Sequence, residues 1–162
     1  MSAAEAILEE LRRRSLMLTT AESCTGGLIA ALMTEIAGAS DVFERGFVTY
    51  SNRAKIESLG VPLEALQTHG AVSSEVARAM AEGALRASAA EIAVAVTGVA
   101  GPQGGTAEKP VGLVHIGLCR KGGRSRSIEC RFGDIGRSEI RLATVEAALR
   151  ILAEEIANSS PE

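Results

Sequence analysis

Five consecutive apolar residues, Ile92-Ala93-Val94-Ala95-Val96, lead directly into a glycine-rich stretch from Thr97 to Pro110. A strand that is apolar on both faces has to be covered on both, which places it inside a sheet flanked by helices. The rest of the chain supplies the covers. Residues 3–14 carry Ile7, Leu8 and Leu11 on one helical face, and Leu16 to Thr19 reads as the first strand. Leu28 to Ile36 reads as a helix ended by Gly38, and Phe47 to Tyr50 as a strand. Ser51-Asn52 caps a helix running through Lys55 to Leu59, which Gly60 and Pro62 break. Ser73 opens a helix to about Ala87 with Val76, Met80, Ala84 and Ala87 on one face. Val111 to Cys119 and Ser125 to Phe132 flank Lys121-Gly122-Gly123 as a β-hairpin. Arg137 to about Ile156 is the closing amphipathic helix, with a frayed tail from Asn158. This order predicts one domain over residues 1–162, an α/β three-layer α/β/α sandwich with a mixed β-sheet.

Composition narrows the function. Net charge is −3, and the aromatic residues are Phe43, Phe47, Tyr50 and Phe132. Nucleic-acid recognition draws on stacking aromatics and clustered positive charge, so no nucleic-acid partner is expected. The first fifteen residues hold Glu5, Glu9, Glu10, Arg12, Arg13 and Arg14 instead of the apolar centre of a secretory signal. No apolar run reaches the length of a membrane span. Cys24, Cys119 and Cys130 form no CxxC pair, and a hairpin turning on Gly122-Gly123 keeps Cys119 and Cys130 apart. The expectation is a reduced, cytoplasmic protein without a disulfide. His69 and His115 are the only histidines, so no metal site is expected.

Reactive residues concentrate between the first strand and the second helix, in Thr19-Thr20-Ala21-Glu22-Ser23-Cys24-Thr25-Gly26-Gly27. Such a turn presents small nucleophiles and free backbone N–H groups at a helix N-terminus, where an anion or a developing oxyanion is stabilised. The plainer reading is a turn capped by Ser23 or Thr25. Ser23, Cys24 and Thr25 compete as nucleophile, and no GxSxG elbow is present. The base would come from His69, read as lying in a loop, or from a lysine; His115, inside an apolar strand, reads as a packing residue. Of 17 cationic side chains, three are lysines, Lys55, Lys109 and Lys121. Lysine can lose its proton in the working range and arginine cannot. Lys55 follows the Tyr50-Ser51-Asn52 turn and Lys109 lies in the glycine-rich loop, whereas Lys121 is a turn-surface charge. The loop from Thr97 to Thr106 matches neither GxxxxGK[ST] nor GxGxxG, yet its glycines offer backbone N–H groups to a phosphate. Arg137 and Arg141 share a helix face and either clamp a phosphate or pair with Glu139 or Glu146.

Five segments occur in order: Ala21 to Gly27; Val48 to Asn52 with Lys55; Gly70-Ala71-Val72-Ser73; Thr97 to Pro102; and Gly104-Gly105-Thr106 with Lys109-Pro110-Val111-Gly112. Together they resemble the CinA C-terminal domain family in its stand-alone nicotinamide-nucleotide amidase form, over about Leu11 to Leu152. The resemblance implies hydrolysis of the carboxamide of nicotinamide mononucleotide to nicotinate mononucleotide and ammonia. It also implies no cofactor or metal, no membrane partner and a homo-oligomer. Fused relatives carry a pyrophosphatase-like domain ahead of this one, and no such activity is expected here. The family's serine matches Ser23, its lysine Lys55, its tyrosine Tyr50 and its loop threonine Thr97. Gly133-Asp134-Ile135-Gly136-Arg137 departs from the family's Gly-Asp-Arg by two inserted residues, which favours Arg141 over Arg137 as phosphate ligand.

The implied mechanism has neutral Lys55 accept the proton of Ser23 as Ser23 attacks the amide carbon. Backbone N–H groups at Thr25, Gly26 and Gly27 would receive the oxyanion. Tyr50 and Thr97 would orient the lysine or pass a proton to the leaving ammonia. Gly101, Gln103, Gly104 and Gly105, with Arg137 or Arg141, would hold the phosphate. One alternative is a related amidase that acts on another small carboxamide with the same residues; the other is a non-catalytic nucleotide-binding or interaction module related to competence and damage-inducible proteins. A base beside a nucleophile argues against the module.

Overall fold

The structure, a computed structural model, describes residues 1–158, so the expectation of a frayed tail beyond Asn158 lies outside the described residues. A mixed five-stranded sheet runs in the order β2-β1-β3-β4-β5, with β2 at Phe43–Val48, β1 at Leu18–Glu22, β3 at Ile92–Gly98, β4 at Leu113–Arg120 and β5 at Arg126–Arg131. β1 is parallel to β2 and β3, while β4 is antiparallel to β3 and β5. Helices α1 (Ala3–Arg13), α2 (Leu28–Thr34) and α6 (Arg137–Ala157) cover one face; α3 (Asn52–Leu59), α4 (Leu63–His69) and α5 (Ser74–Arg86) cover the other. The three-layer α/β/α sandwich expected from the apolar run is the fold observed.

β3 is the central strand and sorts its side chains by size. Ile92, Val94 and Val96 pack with Leu8, Leu11 and Ile140 in the core beneath α1 and α6. Ala93 and Ala95 face α5, together with Ala21. That side is kept thin. A Cβ on Gly117 of β4 would lie 2.2 Å from the Ala77 carbonyl oxygen of α5, and one on Gly83 of α5 would lie 1.9 Å from the Leu59 carbonyl oxygen of α3. Gly83 thus sets how closely α3, the helix carrying Lys55, docks against α5. Gly83→Ala should destabilise by about 1–3 kcal/mol through overpacking. Thermal unfolding checks this, and an unchanged Tm would mean that α3 is free to shift.

Element edges differ from the sequence reading by more than two residues, or by a whole element, in four places. The first strand begins at Leu18, because α1 ends in a Schellman turn that consumes the preceding residues. Ser15 is left-handed (φ 56°), its N–H donates to Arg12 O, and Leu16 N–H donates to Leu11 O. β2 starts at Phe43, earlier than expected, and stops at Val48; its charged centre, Glu44-Arg45, belongs to an edge strand and hides the apolar signal. A helix, α4, occupies Leu63–His69: left-handed Gly60 ends α3, and Pro62, expected only to break a helix, is the N-cap of the next. Gly38 (φ 82°) introduces a 3₁₀ turn at Ala39–Asp41, α2 having already ended at Thr34. Ala87 is exposed, leaving Val76, Met80 and Ala84 as the buried face of α5. The hairpin register sets Cys130 opposite Val114 and Cys119 opposite Ala93, and all three cysteines are free.

Candidate active site

β1 carries the chain into the site. Its five residues are all buried, and Ser23 N–H extends the ladder by donating to Val96 O at 3.1 Å. The chain then turns, with Gly26 N–H donating to Ser23 O at 3.0 Å and both Gly26 (φ 59°) and Gly27 (φ 102°) left-handed. A side chain would be strained at either glycine, so this pair permits the sharp exit into α2.

Lys55 reaches the same point from the first turn of α3, which Ser51 caps by accepting from Ala54 N–H at 3.0 Å. Its Nζ lies 2.9 Å from Ser23 Oγ, 2.9 Å from Thr49 O and 3.5 Å from Tyr50 O. Lys55 is 1% exposed, and no carboxylate pairs with it among the described residues. Burial is the main cause that pushes its pKa below the ordinary lysine value. Two carbonyls and one hydroxyl accommodate the three donors of an ammonium, and equally the two N–H donors and one lone pair of a neutral amine. In that state the lone pair faces the Ser23 hydroxyl.

The neighbouring thiol is in the opposite condition. Cys24 is buried, and burial is the main cause that pushes its pKa up to about 11. Thiolate is the reactive form, so this cysteine is held inert.

Glu22 was not singled out by sequence reasoning. It is fully buried, and its carboxylate accepts from Thr25 Oγ1 (2.7 Å), Ile29 N–H (2.8 Å) and Ala30 N–H (3.1 Å). The α2 cap is therefore neither Ser23 nor Thr25 but a carboxylate reaching across the turn, because the N-cap position is side-chain-free Gly27. Two corrections follow. The helix N-terminus already holds the Glu22 carboxylate, and the Gly26 amide is taken by Ser23 O, so of the three amides expected to receive an oxyanion only those of Thr25 and Gly27 stay candidates. The Thr25 hydroxyl faces Glu22, not the mouth of the site. The available signal was a glutamate at the end of an otherwise uncharged strand, a place where an unpartnered carboxylate is disfavoured.

Two further expectations change. Thr97 is buried and donates to Ala71 O at 2.9 Å, while the Tyr50 hydroxyl accepts from Arg137 Nη2 at 2.9 Å. Neither hydroxyl orients Lys55. The backbone carbonyls of Thr49 and Tyr50 do so, and carbonyls carry no residue-type signature. Both histidines lie elsewhere: His69, at the end of α4 and not in a loop, has Nδ1 3.7 Å from Glu75, and buried His115 has Nε2 4.0 Å from Glu129.

Arg141 pairs with neither Glu139 nor Glu146. Its Nε donates to Cys24 O (3.0 Å) and its Nη2 to Thr25 O (3.1 Å), bracing the turn from outside. Arg137 Nη1 donates to Gly101 O at 2.7 Å, joining the glycine-rich loop to Tyr50. Gln103, Gly104 and Gly105 line a cleft of about 600 Å³ with Gly112, Arg131 and Asp134, and Ser23 and Lys55 are not among its walls. The structure therefore links Ser23, Lys55, Tyr50, Gly101, Arg137 and Arg141 through hydrogen bonds, while the tip of the loop lines the neighbouring cleft. Lys109 straps that loop down by donating to the His69 carbonyl. Among the described residues, no group of His, Cys, Asp or Glu is arranged to hold a metal ion, and no helix is long and apolar enough to cross a membrane.

The chain is similar to several known proteins. The chain is 52% identical over 155 residues to a putative competence-damage inducible protein of Caldicellulosiruptor saccharolyticus, covering 95% of this chain but 37% of that protein. The chain thus spans little more than a third of the longer curated relatives it matches. It is also 49% identical over 146 residues to the nicotinamide-nucleotide amidohydrolase PncC of Enterobacter agglomerans, covering 90% of this chain and 88% of that one. Among solved structures, the competence/damage inducible protein CihA of Agrobacterium tumefaciens superposes with a TM-score of 0.92 at 57% identity, covering 94% and 92% of the two chains. A CinA superfamily protein of Klebsiella pneumoniae gives 0.90 at 33% identity, covering 98% and 100%. The family model described as the CinA C-terminal domain matches residues 1–156, and on that match and these relatives the chain belongs to the CinA C-terminal domain family.

Proposed function

We propose that this chain is a metal-independent amidase that converts nicotinamide mononucleotide to nicotinate mononucleotide and ammonia. The observation that carries the reading is the buried Lys55 Nζ, without a carboxylate partner, 2.9 Å from Ser23 Oγ. The PncC relative, matched over nearly its full length, supports the substrate.

In this reading Ser23 Oγ attacks the carboxamide carbon while its proton passes to Lys55 Nζ. The negative charge on the former carbonyl oxygen is met by the Thr25 and Gly27 amides. Collapse of the tetrahedral intermediate breaks the C–N bond, and the lysine ammonium returns the proton to the departing nitrogen. Water, deprotonated by the same amine, then hydrolyses the acyl-serine. The cationic pyridinium of the substrate favours the neutral state of Lys55 by like-charge repulsion. Arg141 and Arg137 are the proposed phosphate donors, and the chain is proposed to work as a homo-oligomer.

The direct test is ammonia release from nicotinamide mononucleotide by purified protein treated with EDTA. The rate should be unchanged by the chelator; loss that zinc or magnesium restores would overturn metal independence. No ammonia from any carboxamide would return the chain to the interaction-module reading.

Arg141→Ala should raise KM for the nucleotide about ten- to a hundred-fold, as for a charge-assisted contact, and much less for the nucleoside lacking the phosphate. Equal losses on both substrates would assign Arg141 to bracing the Cys24–Thr25 turn alone.

A further inference from the structure

We propose that Glu22 is the positioning residue of the reaction: its buried carboxylate holds the Ser23 turn in its attacking geometry through the Thr25 hydroxyl and the first amides of α2. This rests on the reading of Ser23 as nucleophile, and adds a residue that touches neither substrate nor reacting atoms.

The geometry is specific. One carboxylate oxygen accepts from Thr25 Oγ1 and Ile29 N–H, and the other accepts from Ala30 N–H. These contacts reach forward across the turn, so the residue before Ser23 is bonded to the residues that follow it. A buried acceptor-only group facing three donors fits the carboxylate and not its amide. The same residue also ties down the other half of the pair. The Glu22 carbonyl accepts from Thr49 N–H at 2.9 Å, and the Thr49 carbonyl holds Lys55 Nζ. Glu22 therefore contacts, on one side, the turn that presents Ser23 and, on the other, the segment that aims Lys55. Stability alone does not require this arrangement. α2 is a seven-residue helix, and an ordinary Ser, Thr or Asp at its N-cap would satisfy its first amides. Gly27 stands there instead, and a carboxylate that must be dehydrated does the capping.

Glu22→Gln retains volume and one acceptor oxygen, but turns an NH₂ group toward one of the three donors. The turn is then displaced at one contact without losing its packing. Because displacement of a reacting group by about 1 Å costs on the order of a hundred-fold, kcat should fall about ten- to a hundred-fold. KM for nicotinamide mononucleotide should stay within about threefold, since no substrate-binding group is removed. Thr25→Val removes another contact of the same three-donor cradle, from the turn's side. The double variant should therefore be no slower than Glu22→Gln alone, which is the non-additivity of residues acting as one unit.

The experiment measures kcat, KM and Tm for wild type, Glu22→Gln, Thr25→Val and the double variant, with the rate of Ser23 sulfonylation by a small sulfonyl fluoride followed by mass spectrometry. The expected result is slower turnover and slower labelling in Glu22→Gln at a temperature where the protein is fully folded. Retention of more than a third of wild-type kcat and labelling rate, a loss confined to KM, or multiplicative losses in the double variant would overturn the proposal. If Glu22→Gln does not fold, Thr25→Val carries the test, and unchanged kcat and labelling there would equally overturn it. Wild type that labels at Ser23 but releases no ammonia from nicotinamide mononucleotide would refute the substrate reading, and the labelling rates would still decide the role of Glu22. Wild type that does not label at Ser23 and releases no ammonia would remove both.

Discussion

Lys55→Arg is expected to hydrolyse nicotinamide mononucleotide at less than about a hundredth of the wild-type kcat, a barrier increase of about 2.7 kcal/mol or more. The reason lies in what surrounds the amine. Lys55 is 1% exposed and meets two carbonyl oxygens and one hydroxyl, with burial pushing its pKa down. Guanidinium does not deprotonate in the working range, so it cannot accept the Ser23 proton. It also cannot shed its charge to avoid burial, so the variant is expected to lose stability as well. Lys55→Met separates the two effects: it fills the same space without charge and should be equally inactive yet folded. Retention of a tenth or more of kcat by either variant would show that Lys55 is not the base.

The same burial sets two pH dependences. In wild type, kcat should rise with pH as Lys55 loses its proton, starting below the ordinary lysine value of 10.5. For stability the folded-state pKa is the lower one. Between it and 10.5 the unfolded chain holds a proton that the folded chain lacks, so stability rises with pH across that window. Lys55→Met lacks this dependence. Its Tm relative to wild type should therefore be most favourable at the low-pH end and lose ground as pH rises. A constant Tm difference would contradict a depressed lysine.

Ser23→Ala is expected to lose at least about a thousandfold in kcat, the scale of removing a nucleophile, whereas Cys24→Ala should keep at least about a third of wild-type activity. The two side chains are adjacent, but only Ser23 Oγ is bonded to Lys55 Nζ. The Cys24 thiol is pushed up to about 11 by burial and stays protonated at neutral pH. Acyl-enzyme trapping by rapid acid quench and peptide mass analysis supplies the independent measurement, with the added mass expected on Ser23. An adduct on Cys24, or the reverse order of activities, would overturn the assignment.

Much of the architecture was legible in local patterns. The Ile92–Val96 run implied a strand covered twice, and the Ser51 and Ser73 caps marked two helix starts, because caps and periodicity act within a few residues. The Schellman turn at Ser15 and the helix after Pro62 were misread, since each depends on which of two local options the tertiary packing completes. Ser23 and Lys55 stood out as reactive types in the segments that carry the family resemblance. Their 2.9 Å contact spans 32 positions of sequence and exists because β1 and β2 pair in parallel and Gly83 lets α3 settle on α5.

What the amino-acid order decided, then, was the three-layer sandwich and which side chains of reactive type the candidate site has to work with, through periodicity, capping and residue chemistry. Protonation and aim were decided by the tertiary structure. A lysine titrates by its burial and its neighbours, and here those neighbours are the carbonyls of Thr49 and Tyr50, which any residue at those positions would offer. The Tyr50 hydroxyl turned to Arg137, the Thr97 hydroxyl to Ala71, and the α2 cap passed to Glu22. Hydrogen-bond partners are settled by distance in the folded chain, and distance is the quantity that residue types do not encode.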